Sequence, residues 1–456
     1  MNDQLKDTIV AQITPQGRGA VGIVRVSGVK SSNVAKEILG KVPIPRYIHY
    51  ASFLDSKKNI IDKGIALWFP GPNSYTGEDV LELQGHGNPI ILDVLVKSII
   101  SIKDIRIAKP GEFSERAFLN GKLDLIQAES VIDLINATSQ YTVKLSLESL
   151  QGLFSLRIKK LMDSIKNIRT KLEVSINFPE ENIKIDLFQL IPITLKNIIS
   201  DINKVLDSAN KGYIFREGTK VVIAGPTNAG KSTLFNFLTG IDAAIVTDIH
   251  GTTRDLLRES VNINGMRFDL VDTAGLRETS DKIENIGIQR AYQEIELAEH
   301  ILFVVDNTCN QFELSKIYNN FLSSIKNKSK VVIILNKIDL TLESASIKII
   351  SGLTFISLSA YTGDGINILY RYLQKKDIGM YENTESVLLA RRRHLDLLNK
   401  TLNKILISLN NWSNTNDVCV LAEDLRCAQN YLGSVLGCVT TEDILNNIFS
   451  EFCIGK

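Results

Sequence analysis

Several things are missing from this 456-residue sequence, and each absence removes a class of protein. Its five cysteines, Cys309, Cys419, Cys427, Cys438 and Cys453, form no CxxC pair and no metal-binding spacing, and their number is odd. A disulfide framework is thereby excluded, and free thiols in a reducing compartment are expected. The opening "MNDQLKDTIVAQ" lacks the basic and apolar regions of a signal peptide. No run of about 18 apolar residues is present to span a bilayer. These absences predict a cytoplasmic protein with no membrane partner. Charge of one sign is also lacking: 52 Lys and Arg against 51 Asp and Glu leave a net charge of +1. Any contact with nucleic acid must come from a local patch or a partner, because no global basic field exists. Repeats and low-complexity segments are absent. The C-terminal "FCIGK" is a poor prenylation signal, since Gly455 and Lys456 stand at its last two positions. Its thiol belongs either to a frayed tail or to a tail that carries a reactive group into a site.

What is present falls into three textures. From Asp7 to about Phe118, short β-rich runs such as "AVGIVRVSG" and "GIALWFPG" are broken by Gly and Pro, with a helical stretch near Pro89–Ile102. This predicts an α+β domain. From about Leu119 to Ser208, Leu and Ile recur at three- and four-residue spacing, as in "AESVIDLINATSQYTVKLSLESLQG", which predicts long helices. The same texture returns from about Ser386 in "RRRHLDLLNKTLNKILISL" and "TTEDILNNIFSEF". Between them, "TKVVIAG", "RFDLVD", "HILFVVD" and "KVVIILN" are apolar runs typical of strands buried in a parallel sheet. The expected boundaries are 1–118, 119–216, 217–378 and 379–456, an α/β domain inserted into an all-α domain.

The inserted block carries a nucleotide-binding pattern. "GPTNAGKST", Gly225 to Thr233, fits G-x-x-x-x-G-K-[ST] between a predicted strand and a predicted helix. Glycines let successive N–H groups curl around a phosphate, and the helix N-terminus adds its dipole. Asn228, Ala229, Gly230 and Thr233 belong to this loop; Lys231 would reach the β- and γ-phosphates and Ser232 would bind Mg²⁺. "DTAG", Asp272, Thr273, Ala274 and Gly275, ends another apolar strand, with the acid placed to hold the Mg²⁺ water shell. "NKID" follows, where the Asp339 carboxylate suits guanine N1–H and the 2-amino group, a donor pair that adenine does not offer. Asn336 and Lys337 are expected to hold and stack the base. A backbone N–H of Ser359–Ala360, at the next strand end, is expected to meet guanine O6. "TDIHGTTRD" supplies Thr253 as a second Mg²⁺ hydroxyl in a switch loop. Together these predict a GTPase domain of the P-loop NTPase fold. Leu276 stands where many small GTPases carry a water-orienting Gln, so Arg277, Glu278, Asp281 and Glu284 are the polar candidates nearby.

"PGEFSERAFLNGKLDLIQAE", "NAGKST", "GTTRD", "DTAGLRET", "NKID" and "FCIGK" together resemble the MnmE (TrmE) family of tRNA modification GTPases, from Asp7 to Lys456. The resemblance implies an N-terminal tetrahydrofolate-binding domain that dimerises, a helical domain in two parts, and an inserted G domain. It implies a homodimer that works with an FAD-dependent MnmG-type partner in a heterotetramer, on tRNA as substrate. The implied activity is K⁺-activated GTP hydrolysis coupled to an aminomethyl or carboxymethylaminomethyl group at C5 of the wobble uridine in certain tRNAs. The implied cofactors are GTP, Mg²⁺, K⁺ and a tetrahydrofolate derivative, in the 5-formyl or 5,10-methylene form.

By the same resemblance K⁺ is held by Asn228, Thr247, Ile249 and Thr252. The loop that delivers these ligands also contains Asp248, His250, Gly251 and Thr253. Water orientation falls to Glu284. The folate site takes Arg25, Glu82, Lys122 and Lys456, and Cys453 beside it is required for modification, its chemical role left open. A nearby cation would have to lower the pKa of that thiol. The sequence departs from the family pattern at Pro226–Thr227, Asn177, Asn88 and His250, none of which removes a phosphate donor. The guanine motifs alone are equally compatible with a regulatory switch in which GTP gates binding to ribosome or RNA.

Overall fold

The computed structural model describes residues 7–177, 184–240, 257–263, 266–272, 294–341, 343–378 and 387–438, with 445, 448–450, 452 and 455. They divide into two compact units. Unit one takes Met1–Ile135, Leu147–Asn203 and Asp396–Lys456; unit two takes Asn136–Ser146 and Lys204–Leu395.

Alternating burial builds the first sheet of unit one. In β2 (Gly19–Ser27) Val24 and Val26 face the core while Arg25 faces the other side. β1 (Thr8–Gln12), β3 (His49–Leu54), β4 (Ile60–Phe69), β5 (Val80–Gly87) and β6 (Ile105–Ile107) complete it in the order β3-β4-β5-β2-β1-β6. Neighbours are antiparallel except β1 and β6. α1 (Ser31–Leu39) and α2 (Pro89–Ile100) supply Val34, Ile38, Leu92, Leu95 and Ile99 to the core against Val10, Val24, Leu81 and Leu83. α2 starts where Pro89 fixes the first turn and Asn88 Oδ1 accepts the Ile90 N–H at 2.9 Å.

α3 (Glu112–Leu119) contributes Glu112 and the buried Arg116 to an ionic cluster whose outer members, Asp7 and Arg106, are partly exposed. Arg116 is 1% exposed and donates to Asp7, Glu78 and Glu112 at 2.7–3.1 Å, while Arg106 joins Asp7 and Glu112. α4 (Leu125–Ile135) and α6 (Leu153–Asn177) follow in unit one. Ile158, Leu161, Ile165, Ile168 and Leu172 recur along α6 at helical spacing and are all buried. α13 (Val418–Leu436) packs on α6, capped by Asp417, whose Oδ1 accepts from the amides of Cys419 and Val420. The amphipathic stretch containing "SVIDLINATSQYTV", predicted to form long helices, is two short ones: α4 ends at Ile135, and α5 (Gln140–Leu150) starts after Ser139, whose hydroxyl accepts the Thr142 N–H at 3.1 Å. Near the C-terminus, Leu445, Ile448, Phe449 and Phe452 bury against Leu125, Ala128 and Ile132. The sequence predicts a helix over "TTEDILNNIFSEF" with Thr440 or Thr441 as its cap, Asp443 in its first turn and Ile444 among its apolar anchors, and these four residues lie outside the described residues.

α7 (Lys184–Glu217) leads to the second sheet, in unit two. Its strands are β7 (Thr219–Ala224), β8 (Leu257–Ile263), β9 (Met266–Asp272), β10 (His300–Asp306), β11 (Val331–Asn336), β12 (Ser346–Ile350) and β13 (Leu353–Ser357). The order is β12-β13-β11-β10-β7-β9-β8, parallel throughout except for the edge strands β12 and β8. Successive residues pack on opposite faces: Val221, Ile223, Leu302 and Val304 on one, Val222, Ile301, Phe303 and Val305 on the other. That is why these segments read as continuous apolar runs. α8 (Lys231–Gly240), α9 (Gln311–Ser324), α10 (Ile338–Thr341) and α11 (Ile366–Ile378) complete unit two with the start of α12 (Arg392–Thr415). From β7 the chain goes to β8 and β9 on one side and then to β10 on the other, so the order reverses at β7. Ligands of such sheets bind at the carboxyl ends of the strands beside this reversal.

Candidate functional site

The loop between β7 and α8 is positioned by three backbones in the left-handed region: Gly225 at φ 143°, Asn228 at 62° and Gly230 at 91°. A Cβ on Gly225 would overlap the Val304 carbonyl oxygen on the neighbouring strand, and one on Gly230 would overlap Asn336 Nδ2. Only glycine lets the loop lie this close to β10 and β11. Such alternation of hand turns successive amides toward one point, the geometry of an anion-binding nest. Lys231 opens α8, and its Nζ donates to the Pro226 carbonyl at 2.7 Å, spanning the loop. Ala229 is buried, whereas Asn228, Ser232 and Thr233 are exposed.

The base-recognition residues are wired to this loop. Asn336 is 2% exposed; its Nδ2 donates to Ala229 O at 2.9 Å and its Oδ1 accepts the Ala360 N–H at 2.9 Å. The Asn336 amide thus ties the phosphate loop to the Ser359–Ala360 loop. Asp339 accepts from Ser359 Oγ at 2.6 Å, which aims its carboxylate and leaves acceptor capacity for two further donors. The amides assigned to guanine O6 are engaged within the chain, Ala360 N–H with Asn336 and Ser359 N–H with Asp364 O at 2.9 Å. Lys337, at φ 70°, pairs with Asp306 at 2.5 Å. Burial would raise the Asp306 pKa, but hydrogen bonds from Lys337 and Thr308 outweigh it and hold the carboxyl below its ordinary value. Sequence reasoning passed over Asp306, although "HILFVVD" ends on it and it stands in register with Asn336. Asp272 ends β9 and is 1% exposed. Thr247, Asp248, Ile249, His250, Gly251, Thr252, Thr253, Thr273, Ala274, Gly275 and Glu284 lie outside the described residues.

In unit one Arg25 and Glu82 face each other across β2 and β5, with Nε and Nη2 both 2.8 Å from Oε1. The guanidinium lies 5.0 Å from the Tyr75 ring centre and 5.6 Å from that of Phe113. Sequence reasoning missed both aromatics. Their signal is weak: Phe113 lies within "PGEFSER", while nothing marks Tyr75. Glu82 Oε2 accepts no hydrogen bond among the described residues. Lys122 is exposed, its Cε 3.4 Å from where a Gly77 Cβ would stand, on the loop that also carries Tyr75. From the tail, Gly455 (φ 100°) lies so close to β1 that a Cβ would overlap the Gln12 carbonyl oxygen. Gln12 pairs with Val24, the neighbour of Arg25. Cys453 and Lys456 lie outside the described residues.

Two sequence models of known families match. The MnmE helical domain covers residues 125–453, and the N-terminus of the GTP-binding protein TrmE covers residues 8–122. The chain belongs to the MnmE/TrmE family. As an MnmE/TrmE protein it is a GTP hydrolase of tRNA modification. Among solved structures it is similar to an Era variant from Aquifex aeolicus bound to GDP·AlF4⁻, at 24% identity over 41% of this chain and 67% of that one, with a TM-score of 0.27. It is also similar to the G domain of the T. maritima FeoB iron transporter, at 26% identity over 36% and 99%, with a TM-score of 0.25. The FeoB G domain from Methanococcus jannaschii shares 26% identity over 35% and 97%, with a TM-score of 0.26. Among the described residues of this MnmE/TrmE chain, no helix is long and apolar enough to cross a membrane.

Proposed function

We propose that this chain is a cytoplasmic, K⁺-activated GTPase that acts as a homodimer with an FAD-dependent MnmG-type partner. Together they install an aminomethyl or carboxymethylaminomethyl group at C5 of the wobble uridine in certain tRNAs, and a folate supplies the one-carbon unit. The domain limits proposed are 1–118 for folate binding, 119–216 and 379–456 for the helical domain, and 217–378 for the G domain. One observation carries the GTP site above all: Asn336 joins the phosphate loop at Ala229 to the base loop at Ala360. Phosphate and guanine recognition then form one rigid frame.

Within that frame Asn228, Ala229, Gly230, Lys231, Ser232 and Thr233 hold phosphate and Mg²⁺, Asp272 the Mg²⁺ shell, and Asp339 the base. Asn228, exposed on the nest, suits a monovalent cation, with Thr247, Ile249 and Thr252 as the other ligands. Such an ion would offset charge that develops between the β- and γ-phosphates. Glu284 orients water and Thr253 adds a hydroxyl to Mg²⁺. For the folate, Glu82 Oε2 suits the amino-pyrimidinone edge of a pterin, Tyr75 and Phe113 offer aromatic walls, and Lys122 and Lys456 suit the glutamyl tail. The close approach of Gly455 to Gln12 supports a tail that brings Cys453 toward this place.

The test compares GTP turnover in K⁺ and in Na⁺ with wobble-uridine modification by the wild-type chain and by Cys453→Ser. Faster turnover in K⁺, and a variant that hydrolyses GTP normally but fails to modify, are expected. Equal rates in the two salts contradict the cation role, and intact modification contradicts the role of the thiol.

A further inference from the structure

A net charge of +1 leaves open where a chain that acts on tRNA meets the RNA. α6 departs from the neutral average: Arg157, Lys159, Lys160, Lys166, Arg169 and Lys171 face only Asp163 and Glu173 in acid. One side of α6 is buried, and the cations collect on the edges of the other. Arg157, Lys160 and Lys171, with Ser164 and Asn167 between them, follow one another at three- and four-residue steps, which places them on one stripe of the helix. All five are exposed, and the stripe contains no acid. Arg157, Lys160 and Lys171 make no ion pair among the described residues, whereas Lys159 approaches Asp124 at 3.6 Å and Arg169 is held by Glu173 and Gln429. At a rise of about 1.5 Å per residue the stripe runs about 21 Å, enough to follow several phosphates.

We infer that this stripe of α6 is a docking surface for the sugar–phosphate backbone of the substrate tRNA. The inference rests on the tRNA substrate of the proposed function. Free cations in a row, small polar side chains between them and no interposed carboxylate suit a polyanion read by charge and shape rather than by base. Elsewhere on unit one the basic side chains are scattered and several are paired, as in Lys30 with Asp104, Lys58 with Glu37 and Lys97 with Asp93.

The experiment measures binding of labelled, unmodified tRNA to the full-length chain with GDP bound, over about 50–200 mM salt. The variant Arg157→Glu/Lys160→Glu/Lys171→Glu is set beside the corresponding Gln triple and a control, Lys36→Glu/Lys41→Glu/Lys57→Glu, made at exposed lysines away from α6. The Glu triple should lose at least about tenfold in affinity at low salt, and its slope of log K against log salt should fall by about 2–3. The Gln triple should fall between it and the wild type, and the control should stay within about twofold of the wild type. GTP turnover of all variants should match the wild type, which shows that they are folded. Unchanged affinity in the Glu triple, an equal loss in the control, or a wild-type chain that retains no tRNA overturns the inference. Modification by the wild-type chain is scored separately. If it fails while the stripe binds RNA, the proposed function falls and the surface stands; if it succeeds while the Glu triple binds normally, only the surface falls.

Discussion

Asp339 shows how one residue sets nucleotide choice. Ser359 fixes its orientation, and its carboxylate offers acceptors to two guanine donors. Asp339→Asn replaces one acceptor with a donor, which suits the carbonyl of xanthine instead. Competition binding should show GTP affinity falling by about two orders of magnitude or more, with xanthosine triphosphate gaining, because polar groups left unpaired once a bound base covers them discriminate strongly. Unchanged preference removes the contact. Gly230→Ala acts at one remove: its methyl would push Asn336 off Ala229 and separate the phosphate and base loops. Arg116 is the residue on which the first unit leans. Arg116→Met leaves Asp7, Glu78 and Glu112 without their buried cation and should cost about 3–5 kcal/mol in denaturant unfolding.

The same cluster has a pH signature. For Glu112 burial would raise the pKa, but hydrogen bonds from Arg106, the Lys109 amide and Arg116 bring it below its ordinary value; Asp7 is lowered in the same sense by Arg106 and Arg116. Lowered folded pKa values give stability that is fully present above the unfolded carboxylate range, near about pH 4, and is lost as pH falls from there through the lowered folded values. Glu115 has the opposite sign, raised by burial and then by the charge of Glu112, and tempers the loss. Thermal unfolding should therefore move to lower temperature below about pH 4. Arg116→Met should flatten that dependence.

At the scale of elements, the C-terminal segment depends on a small apolar anchor. Phe449 packs against Phe118 and Phe452, with ring centres 6.4 and 5.4 Å apart, over Leu125 and Ile132. Phe449→Ala should cost about 3–5 kcal/mol of local stability. GTP turnover should be retained and tRNA modification lost, and modification at the wild-type rate contradicts the role given to the tail. Elements were also where the sequence was most legible. Gly225–Thr233 could be read because the phosphate nest demands glycine at fixed places, and "NKID" because a strand end delivers it. The Asp306–Lys337 pair was not legible: an acid closing an apolar strand has no spacing that names its partner. Arg25 and Glu82 could not be told from an ordinary cross-strand pair without their aromatic neighbours, and only family resemblance singled them out. The break at Ser139 was hidden because apolar periodicity continues across it.

On the scale of the whole molecule, one chain holds a nucleotide frame in its second unit and, in its first, an Arg25–Glu82 pair and a buried C-terminal segment. The frame must be specific for guanine before any other role can depend on it. The most direct measurement is calorimetric titration of the full-length chain with GDP, GTP and ATP in the presence of Mg²⁺, alongside Asp339→Asn. Saturable binding of both guanine nucleotides, none of ATP, and loss of GDP binding in the variant are predicted. Absence of GDP uptake, or ATP bound as tightly as GTP, would contradict guanine specificity.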